Sequence, residues 1–387
     1  MARNISVGID IGTYSTNTVV LELEQFGKAP KILALNSVAS SGLRKGNVHD
    51  IKEAAKSIKE SVRAVEKTAG FPARRVYASI GGENLTSVIS KGMVAVSRAD
   101  SEITDNDIKR AVSNSETNLS RMANKSILHT VPLCFKIDNE PAGKNPVGMK
   151  GGKLEVDTLF ITTLTQNLNN LIKSFEIAGL TVLDVVASPI AAGYALMDKK
   201  QKEAGSILLD IGGGTVSLAV FEEGLPLSVN CFPFGSDNIT NDIAVINQMP
   251  LEQAEKLKHE FLKEDVKTDR ATQRKLTEII EARLSDAFEL TSSHLRKIGK
   301  ERTLPGGAIL TGGGVNLPIV ADFAKNHLKM NAEIGVCSLF ESREKRFFDS
   351  KWAVALGLAM LGLNETSIKT GGKIKETIKS MFKLFMP

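Results

Sequence analysis

Val7-Gly8-Ile9-Asp10-Ile11-Gly12-Thr13 and Leu208-Leu209-Asp210-Ile211-Gly212-Gly213 are two copies of one pattern. In each, an apolar strand ends in Asp-Ile-Gly and turns at once into a second apolar strand, Thr18–Leu23 in the first copy and Val216–Phe221 in the second. Such a run reads as a buried hairpin. Its repetition predicts two similar halves facing each other across a cleft, each presenting the same loop to it. Glycine accepts positive φ, so backbone N–H groups of these loops can approach phosphate oxygens. Thr13 and Thr215 add hydroxyl donors. A carboxylate at each strand end, Asp10 and Asp210, would repel bare phosphate. The pair makes sense around a Mg²⁺ that keeps several waters and sits between them and the phosphates. A third glycine run, Thr311-Gly312-Gly313-Gly314, follows the strand Ala308–Leu310 and can set a nucleoside beside backbone. No GxxxxGK[ST] occurs, and neither glycine cluster reads GxGxxG followed by a ribose-binding acid, so P-loop and Rossmann binding are excluded.

The rest of the composition narrows the class. The chain has 387 residues, enough for two or three domains. Its 42% hydrophobic and 24% charged residues suit a globular protein. Lys+Arg at 49 against Asp+Glu at 44 leaves +5, too mild an excess for a dedicated nucleic-acid binder. Cys134, Cys231 and Cys337 are far apart and form no CxxC, so they read as buried or unreactive thiols in a reducing cytosol. The N-terminus lacks the apolar core of a signal peptide, and the longest apolar stretch, Ala353–Leu363, is too short to span a bilayer. A cytoplasmic protein is expected, unless something ties it to a surface.

Along the chain, strands are expected at Ser6–Ile11, Lys31–Ala39 and Arg75–Ile80, with a helix over Asp50–Ala69 capped by Asp50 and stopped by Gly70. Residues 84–164 are more polar and read as an insertion with its own small core: strands near 85–97 and 126–137 around a helix at about 104–122, then a Gly/Pro/Lys loop over Asn139–Gly152. A strand at Val182–Ala187 runs into Ser188-Pro189, read as a capping serine followed by a first-turn proline. Residues 251–300 are helical and charged.

The three loops resemble the first phosphate, second phosphate and adenosine motifs of the actin-like ATPases, the superfamily of actin, sugar kinases and heat-shock chaperone ATPases. Pro189-Ile190-Ala191-Ala192-Gly193-Tyr194 and Ala353-Val354-Ala355-Leu356-Gly357 resemble its two connecting helices. Within the superfamily the chain is most similar to the FtsA family of bacterial cell-division proteins. The likeness is carried by Gly42-Leu43-Arg44-Lys45-Gly46-Asn47-Val48, by His129-Thr130-Val131-Pro132 with Ile137-Asp138, and by Asn145-Pro146-Val147-Gly148-Met149. Phe232-Pro233-Phe234-Gly235 with Ile239-Thr240-Asn241-Asp242-Ile243 adds to it, and it spans nearly all of residues 5–365.

The resemblance implies an α/β, actin-like (RNase H-like) two-domain fold, with a cleft between the halves and a relocated FtsA-type subdomain inserted in the first half. In the family's terms, subdomain 1A falls at 1–83, 165–203 and 349–363, with 1C at 84–164. Subdomain 2A falls at 204–243 and 305–348, and the helical subdomain 2B at 244–304. A linker at 364–372 precedes an amphipathic helix at 373–387. The resemblance also implies that Asp10 and Asp210 organise Mg²⁺ through water. Gly12, Thr13, Tyr14, Gly212, Gly213, Gly214, Thr215 and Gly235 are expected at the phosphates of ATP, and Gly312, Gly313 and Gly314 at the nucleoside. Glu255 and Lys258 resemble the pair that brackets ribose and base; an exposed i,i+3 ion pair is the alternative. Where chaperones have Glu and actin has Gln to orient the attacking water, this chain has Ser188, which reaches less far, so hydrolysis is expected to be slow at most.

The C-terminus carries its own signal. On a helical wheel over 373–386, Ile374, Ile378, Met381, Phe382 and Phe385 share one face, with Lys379 and Lys383 opposite and Lys375 at the margin. Lysines around an apolar face behind a glycine-bearing linker read as an interfacial helix for anionic lipid; docking back on the protein is the alternative. The family reading is an ATP-binding filament on the cytoplasmic face of the cell membrane, at the division site, tethering the tubulin-like protein FtsZ and joined by other division proteins. The FtsZ C-terminal tail is expected on 2B at Arg283 and Asp286, with Arg270, Arg274 and Lys275 nearby. A pilus-assembly scaffold ATPase and a small-molecule kinase of the same fold are the rivals.

Overall fold

The computed structural model describes residues 4–24, 29–96, 100–120, 122–261, 270–317, 319–337 and 349–369. Strands β1 (Asn4–Ile11) and β2 (Ser15–Leu23) form the first hairpin, and β3 (Lys31–Ala39) continues it. A tight hairpin of β4 (Leu43–Arg44) and β5 (Asn47–Val48) leads to α1 (Ile51–Ala69) and β6 (Arg75–Ile80). The inserted block holds β7 (Thr86–Ala95), α2 (Asp105–Thr117), β8 (Lys125–Ile137), β9 (Glu140–Pro141) and β10 (Lys153–Leu164). Next come α3 (Thr165–Ile177), β11 (Thr181–Ala187), α4 (Ser188–Leu196) and α5 (Lys199–Ala204). The second half holds β12 (Ser206–Ile211), β13 (Val216–Glu222), β14 (Leu225–Phe232), α6 (Ser236–Ile246), α7 (Leu251–Phe261), α8 (Arg270–Lys297), β15 (Ala308–Thr311), α9 (Val320–Leu328) and β16 (Ala332–Ile334). Helix α10 (Ala353–Lys369) returns to the first half.

The repeat in the sequence is a repeat in space. The first sheet runs β11-β6-β1-β2-β3, and the second begins β16-β15-β12-β13-β14. In each, the strand ending in Asp-Ile lies antiparallel to its hairpin partner and parallel to its other neighbour. Asp10 sits opposite Asn17, and Asp210 opposite Ser217. Local chemistry explains α1: the Asp50 carboxylate accepts from the Lys52 and Glu53 N–H groups, and Gly70 ends the helix in the left-handed region. Its Ile58, Val62 and Val65 pack with Val7, Val76 and Phe175 under the first sheet. On the second sheet, Ile243, Ile280, Leu284, Phe288 and Val320 from α6, α8 and α9 fill the equivalent layer.

The opposite faces of the two sheets are covered by α10 and α4, which cross between the halves. Their small residues are a steric requirement. A Cβ at Gly357 would overlap the Ala191 carbonyl oxygen, and one at Gly8 would overlap the Ala355 carbonyl oxygen. Helix α10 therefore meets both α4 and β1 backbone to backbone.

The insertion has its own core, in which Phe135, Leu154 and Val156 meet Ile108 and Val112 of α2. It also extends the second sheet to nine strands, ending β14-β7-β10-β8-β9. The join is one residue pair, Asn230 with Thr86, reinforced by the Val229 N–H donating to Ser87 Oγ (2.8 Å) and Ser87 Oγ donating to the Val229 carbonyl (3.1 Å).

Several local expectations are corrected. Ser188 does not cap α4. Ala187 holds that position without a side-chain bond, and its N–H donates to buried His129 Nε2 at 3.0 Å. Burial and that acceptor role keep His129 neutral, its pKa lowered to about 3. Strand β14 is not among the strands expected from the sequence, and it carries Pro226 as its second residue. The structure tolerates proline there because a register shift falls beside it, between Val220 and Phe221. Helices α6 and α9 and strand β16 were likewise unread. The linker expected from Asn364 is helical as far as Lys369, since the next glycine is Gly371. Residues 373–387, with the proposed lipid-facing side chains, lie outside the described residues. Cys134 is exposed, but partial burial and Asp157 push its thiol up, which keeps it protonated; Cys231 and Cys337 are buried. Among the described residues no helix is long and apolar enough to cross a membrane.

Gly357→Val forces α4 and α10 apart and is expected to cost about 3 kcal/mol of stability. Thermal unfolding checks this: a melting temperature equal to that of the parent contradicts the close crossing.

Candidate nucleotide cleft

The two hairpin turns close with the same bond. The Gly12 N–H donates to the Ser15 carbonyl at 3.0 Å, and the Gly212 N–H to the Thr215 carbonyl at 2.8 Å. The first N–H groups of α6 then pin the second loop: Ser236 donates to the Gly212 carbonyl (2.9 Å) and Asp237 to the Gly213 carbonyl (2.8 Å). With those carbonyls occupied from behind, the loop is fixed. Gly235 serves this seating, since a Cβ there would overlap the Gly213 carbonyl; it does not line the cavity. The loops also meet tip to tip. Gly214 faces Thr13, leaving the cavity to its neighbours, and Gly213 faces Tyr14. Thr13 Oγ1 accepts the Gly46 N–H at 2.9 Å, which places the β4–β5 turn against the first loop.

Between the loops lies a cavity of about 290 Å³, lined by Asp10, Gly12, Thr13, Asp210, Gly212, Gly213, Thr215 and Gly312–Gly314, with Glu255 and Lys258 at one side. Its size is near the lower end for small-molecule sites. Gly312 has φ +91, and a Cβ there would overlap the Asp210 carboxylate, so this position demands glycine on both counts.

The electrostatics single out the two carboxylates. Burial raises Asp210 to about 7, with the charge of Asp10 adding to the shift. Burial raises Asp10 to about 6, against hydrogen bonds from Ser79 (2.7 Å) and Asn17. Two desolvated carboxylates that repel each other form a site short of positive charge, and a hydrated divalent cation fits that need. Among the described residues no group of three or more His, Cys, Asp or Glu gathers as a metal site.

Glu255 and Lys258 are not an exposed pair. Lys258 is 5% exposed, and its Nζ reaches Glu255 Oε2 at 2.8 Å and Thr240 Oγ1 at 2.7 Å. Burial alone would raise Glu255, but hydrogen bonds from Lys258 and Thr240 and the nearby positive charge hold it below its ordinary value. The helical-subdomain residues are placed less favourably. Arg283 is clamped to Asp242 and also reaches Asp286 at 3.0 Å, so it ties α6 to α8. Arg274 pairs with Glu278, and Lys275 with Asn247. The Arg270 side chain lies outside the described ones.

Several lining residues escaped the sequence reading: Asn17, Gly46, Gly81, Gly82, His259 and Lys351. Asn17 was within reach, since hairpin register sets it opposite Asp10. So was His259, one turn beyond Glu255. Ser79 bonds Asp10 from β6, a neighbour that only the tertiary fold supplies. Ser188 does line the cleft, with its Oγ beside Gly81.

Two like halves, helices crossing between their sheets and paired acidic hairpins at the cleft define an actin-like fold. Solved structures agree: the PilM-PilN type IV pilus biogenesis complex (TM-score 0.69, 21% identity, 92% of this chain and 98% of that one) and MreB5 of Spiroplasma citri bound to ADP (0.53, 12%, 95% and 99%). Within that fold the chain belongs to the FtsA family of cell-division proteins. It is 31% identical to "Cell division protein FtsA" of Bacillus subtilis (strain 168) over 97% of this chain and 88% of that one, and 26% identical to that of Escherichia coli (strain K12) over 93% and 90%. Family models for "Cell division protein FtsA" and "SHS2 domain inserted in FTSA" match residues 207–357 and 82–162.

The raised carboxyls carry a signed pH effect. Between the ordinary value of 3.8 and about 7 the folded chain binds more protons than the unfolded one, so ligand-free stability falls as pH rises through that window. Asp210→Asn removes the larger share. The ligand-free variant is expected to melt a few degrees above the parent at pH 8 and level with it near pH 4; identical curves at both pH values reject the repulsion.

Proposed function

We propose that the chain binds Mg–ATP in this cleft and, so closed, polymerises on the cytoplasmic face of the cell membrane, where it tethers FtsZ at the division site. The observation that carries the reading is the pair of desolvated carboxylates, Asp10 and Asp210, between glycine loops of the same design. Solved neighbours of the fold are bound to ADP and to AMPPNP, which supports a nucleotide here. Mg²⁺, when bound, offsets the charge of the phosphates and of both carboxylates. The chain's own part is to hold. The N–H of Gly213 and the hydroxyls of Thr13 and Thr215 face the phosphates, while the N–H groups of Gly12 and Gly212 close their own turns and hold the loops in shape. Gly312–Gly314 pack on the nucleoside, and Glu255 with Lys258 flanks the ribose.

Turnover is proposed to be slow. Ser188 is held in the first turn of α4, where its short hydroxyl cannot reach as far as the glutamine or glutamate of fast actin-like enzymes. Membership of the division family supports the tether over the pilus scaffold, whose likeness to this chain is one of fold. For the FtsZ tail, α8 remains the proposed dock. The internal clamp on Arg283 shifts the emphasis to Arg274, whose partner Glu278 is exposed and exchangeable, with Lys275 beside it.

Electron microscopy on anionic lipid monolayers tests the assembly. Full-length protein with ATP is expected to form filaments or sheets, and a chain ending at residue 365 is expected to form none on lipid. In vesicle co-sedimentation Phe382→Glu should release the protein; unchanged binding rejects the membrane helix. Phosphate release at the rate of fast actin-like ATPases would reject the assignment at Ser188.

A further inference from the structure

Tyr14, expected at the phosphates, and His259, which the nucleotide reading does not use, bring their side chains together over the cleft mouth. Tyr14 sits on the turn of the first hairpin, and His259 in the last turn of α7, in the opposite half. Tyr14 Oη lies 3.4 Å from His259 Nε2, with ring centroids 6.4 Å apart and planes tilted by 46°. Both line the cavity, yet both are about half exposed, Tyr14 at 54% and the His259 side chain at 48%. They therefore cover its opening.

Each is braced from behind. His259 Nε2 lies 3.0 Å from Glu255 Oε1, and Glu255 is tied to Thr240 and Lys258. The shorter contact assigns the Nε2 proton to Glu255 and leaves the Tyr14 oxygen as a second, weaker acceptor of it. The base of Tyr14 rests on Gly213, where a Cβ would come within 3.0 Å of the Tyr14 Cβ. Burial, Glu255 and Asp237 push the phenol up, so it stays neutral beside these acids. The neighbouring contact between the halves, Thr13 on Gly214, lies deeper and involves only small groups. Tyr14 and His259 are thus the large side chains that must part for a bulky ligand to pass.

We propose that Tyr14 and His259 form a clasp across the cleft mouth that limits how fast nucleotide enters and leaves. The inference rests on the nucleotide reading above. A weak cross-cleft bond and its packing slow opening modestly, so breaking it speeds exchange in both directions.

Stopped-flow fluorescence with full-length protein, Mg²⁺ and a fluorescent ATP analogue reads the two rates. Tyr14→Phe and His259→Ala are each expected to speed release about threefold or more, with uptake faster as well. The double variant should exceed the larger single effect by little, because one contact is broken in all three. Release that is unchanged, release that quickens while uptake does not, or single effects that multiply would each overturn the clasp. A parent chain that takes up no nucleotide overturns the nucleotide reading itself, and the clasp with it; a parent that binds while the variants exchange at its rate overturns the clasp alone.

Discussion

Repulsion between two carboxylates, each kept from water at the end of a hairpin, is the constraint around which the cleft is arranged. Neither charge can be relieved inside its own half. Asp10 has hydrogen bonds from Ser79 and Asn17 and is still raised to about 6; Asp210 is raised further. An unrelieved pair of this kind costs stability unless a cation enters. On the proposed function, a cation that cancels the repulsion would meet both halves at once, and its binding would be coupled to their closure.

Around this pair the fold supplies stiffness. The loops are pinned from behind by the start of α6 and by the bonds within each turn. At the crossing of α4 and α10 the backbones touch at Gly357 and Ala191, and the side chains packed around that point would have to shift if the helices moved. At the mouth the two halves also meet through large side chains, Tyr14 and His259.

The duplicated Asp-Ile-Gly hairpins were legible because their signal is local: alternation, a turn and a charge at a strand end. Helix α1 was legible for the same reason, its cap and stop both present in the sequence. What escaped depends on chain segments far apart. Ser79 and Gly46 reach the site through packing, and Lys258 is buried rather than exposed because Thr240 and Glu255 enclose it. Ser188 shows how a sound local rule fails. A serine before proline favours a helix cap, yet here the helix starts one residue earlier, from Ala187, whose N–H is held by His129.

The seam between β14 and β7 bears on the order in which the protein is made. Without β7, β14 would be the outermost strand of the second sheet, with a row of open backbone groups of the kind that templates aggregation. The strand that shields it is synthesised more than a hundred residues earlier and belongs to a block with a core of its own. On a ribosome working from the N-terminus, the whole of that block is made before β14 emerges, and a block with its own core can fold first. A fragment beginning at β12 would be born without it.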